Sequence, residues 1–135
     1  QVLWHYHPDL EVQIDDQSVT SVNSDTPNLR IVPVGNYGWE IELVEGKEEP
    51  YKQGWYSETY GKKEPNPTAI YQLQANQPTT FAWLLVPDRG TAELVNAEIR
   101  SLDSKGVRLE VKVKDEKIGL YVPLTEGEPE VSGLD

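Results

Sequence analysis

The chain has 135 residues, room for one domain and short of the roughly 250 at which chains split into two. It carries 12 Lys+Arg against 23 Asp+Glu, a net charge of −11, so phosphate backbones and anionic membranes would repel it, and neither nucleic acid nor a membrane is expected as a partner. With no Cys, disulfides, thiolate zinc sites and cysteine nucleophiles are excluded, and no run of about 18 apolar residues is present to span a bilayer. A chain without Met that opens Gln1-Val2-Leu3-Trp4 reads as a processed protein or an excised piece of a longer one.

Along the chain the dominant period is two, the repeat of a strand with one wet face. The first strand places Val2, Trp4 and Tyr6 on one side and His5 and His7 on the other. The apolar side is the better core face, which turns the histidines outward. Leu10, Val12 and Ile14 alternate with Glu11, Gln13 and Asp15. Leu29 to Val34 is strand-like, Gly35-Asn36-Tyr37-Gly38 is a turn, and Trp39, Ile41 and Leu43 then alternate with Glu40 and Glu42. Between Asp9 and Glu49 stand ten carboxylates against Arg30 and Lys47 alone.

Glu48 to Thr68 breaks the rhythm. It holds Pro50, Pro65 and Pro67 together with Trp55, Tyr56 and Tyr60, and a connection this long is functional or wrapped over its own domain. Strands resume from Ala69 to Ala75. Phe81 to Val86 is apolar on both faces, which predicts a mid-sheet strand covered on both sides. The last three strands form a meander. Ala92 to Leu102 carries Val95, Ala97 and Ile99, and Asp103-Ser104-Lys105-Gly106 turns the chain with Gly at a positive-φ position. Val107, Leu109, Val111 and Val113 follow, then a turn at Asp115-Glu116, then Ile118, Leu120, Val122 and Leu124. No window shows a helical stripe. The expected fold is all-β: two antiparallel sheets of about nine or ten short strands packed as a sandwich over residues 1–124, with 125–135 an acidic flexible tail.

Chemistry is sparse. A hydrolytic triad would need His5 or His7 beside a serine such as Ser57, and no nucleophile-elbow pattern is present. Paired carboxylates have no specificity in a chain with so many. The Gly35 to Gly38 turn opens no helix, so no dinucleotide site is implied. Either histidine could ligate a metal, but a site needs three or four donors and no further ligand is identifiable; a polar sheet face is the plainer reading. The aromatic loop offers more. Trp55, Tyr56 and Tyr60 beside Lys62 and Lys63 suit a sugar platform, with C–H faces stacked on the rings and ammonium groups paired with uronate or sulfate. The alternative is that Trp55 and Tyr60 bury their rings to anchor the loop while the lysines stay solvated.

The segment Gly54-Trp55-Tyr56-Ser57-Glu58-Thr59-Tyr60-Gly61-Lys62-Lys63-Glu64-Pro65 resembles the G-W-x-S-x-x-Y-G-x-K-x-P segment in C-terminal regions of the heparinase II/III family. Trp4-His5-Tyr6-His7-Pro8-Asp9 followed by Val12 is similar to that family's H-x-H-P-D strand, and Phe81 to Pro87 to its apolar strand ending L-L-V-P. The resemblance implies a helical toroid, N-terminal in the same parent chain, followed by a β-sandwich region of which these residues are the C-terminal part. Such lyases cleave uronate-containing chains by β-elimination, with the base and neutralising groups mostly on the toroid. This chain would then be a non-catalytic accessory domain, periplasmic or extracellular, facing an acidic polysaccharide. His5 matches a position that in relatives contributes to a structural metal site, so a divalent metal in the parent is a further implication, with the other ligands preceding Gln1. No cofactor is expected within the chain itself. An independent carbohydrate-binding module and a protein-interaction domain are the competing readings.

Overall fold

The computed structural model describes residues 1–90 and 95–134. The all-β antiparallel sandwich is the fold, drawn with thirteen strands among the described residues and with a third layer added to the two sheets expected. The first sheet has the order β1 (Val2–His5), β8 (Thr68–Gln72), β5 (Glu40–Val44). The second runs β2 (Val12–Asp15), β3 (Ser18–Ser21), β4 (Asn28–Pro33), β9 (Trp83–Asp88). The third is the C-terminal meander β10 (Val95–Leu102), β11 (Gly106–Val113), β12 (Glu116–Pro123), β13 (Glu130–Leu134). A short ribbon pairs β6 (Trp55–Tyr56) with β7 (Glu64–Pro65).

Two cores explain the layering. Tyr6, Trp39, Ala69 and Tyr71 of the first layer meet Val19 and Ile31 of the second, with Phe81 and Trp83 packed against them. On the other side of the second layer, Val34, Ala82, Leu84 and Val86 meet Val95, Ala97, Val107, Leu109 and Val111 of the meander. Side chains alternate across a strand, so β9 gives Trp83 to one core and Leu84 and Val86 to the other. The expectation that Phe81 to Val86 is covered on both sides holds for Phe81, Ala82, Trp83, Leu84 and Val86, which pack on one core or the other, and fails for Leu85. The segment's mid-sheet position does not hold: among the described residues β9 pairs only with β4 and forms the edge of its sheet, and Leu85 is half exposed.

Strand β3 was not legible as a strand because it is Ser-Val-Thr-Ser, all four residues buried. Its hydroxyls are satisfied locally. Ser18 Oγ donates to the Asp15 carbonyl at 2.8 Å, and Ser21 Oγ accepts from Leu29 N–H at 2.9 Å. Beside it the buried Arg30 donates from Nη1 to Asp15 Oδ2 at 2.7 Å and to Ser18 Oγ at 2.8 Å. A buried guanidinium requires such partners.

The meander matches the expected strands, with corrections at both turns and at the tail; Ala92 and the two residues after it lie outside the described residues. The Asp103 to Gly106 turn does not use Gly106 at positive φ. Asp103 Oδ1 instead accepts the N–H groups of Lys105 at 2.7 Å and Gly106 at 3.1 Å, which holds its carboxyl below the usual carboxylate range. A Cβ at Gly106 would meet the outer edge of the Tyr121 ring, so any side chain there would require Tyr121 to move. The second turn falls on Lys114-Asp115, with Lys114 at φ 54°, because Val113 pairs with Glu116. Residues 130–134, within the segment expected to be a flexible tail, pair with β12 as β13; Asp135 lies outside the described residues.

Candidate functional site: the β6–β7 lip

Along β1 and the two residues after it, Val2 and Trp4 pack on the core, Tyr6 is buried, and His5 and His7 are exposed on the opposite side. On that outer face Thr68, Ile70 and Val44 are nevertheless buried. The long loop lies there: Lys47 Nζ reaches Glu42 Oε1 at 2.6 Å, and the Tyr51 hydroxyl reaches Glu42 Oε2 at 3.4 Å.

The loop is pinned at its neck. The Gly54 carbonyl accepts N–H groups from Gly46 at 2.8 Å and from Asn66 at 2.9 Å, and Lys47 and Gln53 exchange backbone hydrogen bonds. Gly54 sits at φ 76°, and a Cβ on it would fall 3.0 Å from both Glu45 Cα and Gly46 N. Both the left-handed backbone and the space demand glycine. Asn66, held between Pro65 and Pro67, is buried and donates from Nδ2 to the Tyr6 carbonyl at 2.8 Å, tying the neck to the first strand. The Gly54→Ala variant is therefore expected to lose about 1–3 kcal/mol of stability, and hydrogen exchange should quicken first at Trp55 and Tyr56. A variant with unchanged denaturation midpoint and exchange would refute this account of the neck.

Beyond the neck the chain forms the β6–β7 ribbon. Trp55 is half-buried; its indole Nε1 donates to the Lys47 carbonyl at 3.1 Å, and Lys63 Nζ stands 3.7 Å from its ring centroid. Lys63 also pairs with Glu48 at 2.7 Å, and this bond holds the Glu48 carboxyl below its ordinary value. The ring of Tyr56 meets His7, centroids 5.6 Å apart. At the tip, Ser57 Oγ donates to the Thr59 carbonyl at 3.1 Å and Lys62 N–H donates to the same carbonyl at 3.2 Å. Tyr60 projects fully into solvent. Lys62 is exposed and, among the described residues, has no ion-pair partner. Beside Lys62 a concavity of about 570 Å³ is lined by Tyr56, Glu58, Thr59, Gly61, Lys62, Lys63 and Glu64; Tyr60 stands outside it.

All five residues singled out in the loop thus share one lip, with unequal roles. Trp55 is an anchor whose ring carries Lys63, Tyr56 leans on His7, and Tyr60 with Lys62 stays open. The anchoring alternative holds for Trp55 and fails for Tyr60. Sequence reasoning missed His7, Glu48 and Asn66 as members of this site. The Pro65-Asn66-Pro67 run was a usable signal for Asn66, a polar side chain on a backbone stiffened from both sides.

The residues weighed for a hydrolytic triad are engaged separately. The Ser57 hydroxyl is used by the tip, His5 Nδ1 is 2.9 Å from Thr68 Oγ1, and His7 Nδ1 accepts from Asp9 N–H at 3.3 Å. Among the described residues no three His, Asp or Glu side chains converge as metal donors. No family model matches the chain, and no curated protein or solved structure matches it either.

Proposed function

We propose that this chain is a non-catalytic accessory β-sandwich domain that offers the β6–β7 lip to an acidic polysaccharide, as part of a heparinase II/III-like lyase. In that arrangement the domain packs on the N-terminal helical toroid of its parent, outside the cytoplasm. The observation that carries the proposal is the open pair at the lip: Tyr60 fully exposed and Lys62 without an acidic partner among the described residues, both mounted on a ribbon pinned at Gly54. A fully exposed ring on a fixed support is free to stack on a sugar face, with a neighbouring ammonium to receive a carboxylate. The concavity matches this, because its two lysines offset Glu58 and Glu64 within an otherwise acidic chain.

The test is calorimetric titration with uronate oligosaccharides. Tyr60→Ala and Lys62→Ala should each weaken binding about tenfold, while thermal stability stays within about 0.5 kcal/mol because neither side chain is packed. Unchanged affinity in both variants would end the proposal, as would unsaturated-uronate absorbance generated by the chain itself. A reading as an independent carbohydrate-binding module rests on the same lip; it requires the isolated chain to bind as tightly as the toroid-linked protein.

A further inference from the structure

The wet face of the β10–β13 meander carries Arg100, Arg108, Lys112 and Lys117. With acids outnumbering cations almost two to one, surface cations here should find carboxylates, and Arg100 does: it pairs with Glu110 at 2.7 Å and Glu98 at 3.2 Å. Lys117 shares Glu110 at 3.4 Å. Lys112 and Arg108 have no ion pair among the described residues, and what sets Arg108 apart is its aromatic support. Its guanidinium lies over the Tyr121 ring, 4.6 Å from the centroid. Asp103 feels its charge, but that carboxylate is occupied by the N–H groups of Lys105 and Gly106.

The stack is held from beneath. The Tyr121 hydroxyl donates to the Lys105 carbonyl at 3.2 Å, and the ring fills the space that a Cβ on Gly106 would claim. A guanidinium lying on a fixed ring keeps its fork of N–H donors aimed outward, which suits a planar carboxylate. Beside it is a hollow of about 180 Å³ lined by Arg100, Arg108, Gly119, Tyr121, Glu130 and Ser132. Gly119 faces Glu110 on one neighbouring strand and Ser132 on the other, so the floor is bare backbone.

We propose that this hollow binds the carboxylate monoanion of a sugar acid. Arg108 receives the carboxylate, and the adjacent ring hydroxyls donate to Glu130 and exchange hydrogen bonds with Ser132. Charge selects a monoanion, because Arg100 is already committed and Glu130 stands on the rim against a phosphate dianion or a heavily sulfated chain. A hydroxylated ligand is favoured because its hydroxyls can donate to Glu130 and bond with Ser132 beside the carboxylate position. The hollow lies on a different sheet from the β6–β7 lip and does not depend on it.

The experiment is amide chemical-shift titration of the whole chain with sodium glucuronate. Shifts should concentrate at Arg108, Gly119 and Ser132, persist in Tyr60→Ala, and be absent with glucose. Arg108→Lys, which keeps the charge and loses the fork, should bind about tenfold more weakly. Tyr121 acts as a positioning residue, so Tyr121→Leu should lose binding, while Tyr121→Phe, which keeps the ring and loses its bond to the Lys105 carbonyl, should weaken it less. Equal response to acetate or inorganic phosphate, full binding by Arg108→Lys, or displacement of glucuronate by a glutamate-containing peptide at equal concentration would each overturn the assignment.

Discussion

Trp39→Ala is expected to lower the free energy of unfolding by about 3–5 kcal/mol, the range for emptying a buried aromatic site. Trp39 is 6% exposed and joins both layers of the first core. Its ring centroid lies 4.9 Å from Phe81, 5.3 Å from Trp83 and 6.0 Å from Tyr71. Backbone bonding is untouched by the change: Trp39 N–H still donates to Gln17 Oε1, and the Trp39 carbonyl still accepts from Gln17 Nε2. The loss is therefore one of packing. The indole N–H is buried without a protein acceptor among the described residues, so Trp39→Phe removes an unanswered donor along with part of the ring. Its cost should stay under about 2 kcal/mol, since most of the ring contacts survive. Urea titration gives the comparison, with the midpoint shifting at constant slope. An alanine variant within about 1 kcal/mol of the parent would mean that this cluster is not the keystone of the first core.

Alkaline pH is expected to unfold the domain through two phenols. Tyr6 and Tyr71 are buried and reach across the first core, Tyr6 donating to the Val19 carbonyl at 3.0 Å and Tyr71 to the Gln17 carbonyl at 3.1 Å. Burial pushes both hydroxyls well above the ordinary tyrosine value; Arg30 opposes this slightly at Tyr6, while the nearby Tyr6 adds to it at Tyr71. The sign follows from linkage. The unfolded phenols ionise near pH 10 and the folded ones only at higher pH, so their contribution is complete below about pH 10 and is lost as pH rises. Each phenol supplies a slope of up to about 1.4 kcal/mol per pH unit, so the pair removes roughly 5 kcal/mol by pH 12. A phenolate would also face a carbonyl with no proton to give it. The double variant Tyr6→Phe, Tyr71→Phe should lose about 1 kcal/mol per hydrogen bond at neutral pH, yet its stability should change far less between pH 10 and pH 12. Identical alkaline profiles for the two proteins would refute the assignment.

Strands with one face in water and one in a core were legible from sequence, because alternation is then enforced residue by residue. Val107, Leu109 and Val111 show this in β11, and Val2, Trp4 and Tyr6 in the first strand. Where another force dominated, the pattern misled or fell silent. Strand β3 is buried through hydroxyls bonded to the backbone, so it carries no hydrophobic signal. In β9 coverage on two faces reflects the layer it belongs to, which says nothing of its place within the sheet. The sharp bend at Lys114 uses a left-handed lysine where glycine or asparagine would have announced it, and β13 is recruited by backbone pairing from a polar stretch. At the lip the residue types were legible and their roles were not. Which ring stays open depends on Lys63 lying over Trp55 and on His7 meeting Tyr56 from the far end of the chain, and neither contact leaves a periodic trace.

The shared middle layer has a consequence for strand alignment. Because β9 sends Trp83 one way and Leu84 the other, sliding it by one residue against β4 would place an isobutyl group in the interior shaped for the indole and the indole in the interior shaped for the isobutyl group. In a sheet wetted on one side, slippage is penalised from that side's core alone. Here each misalignment is punished twice, which fixes a two-neighbour problem that the unpaired edge of β9 would otherwise leave open to sliding.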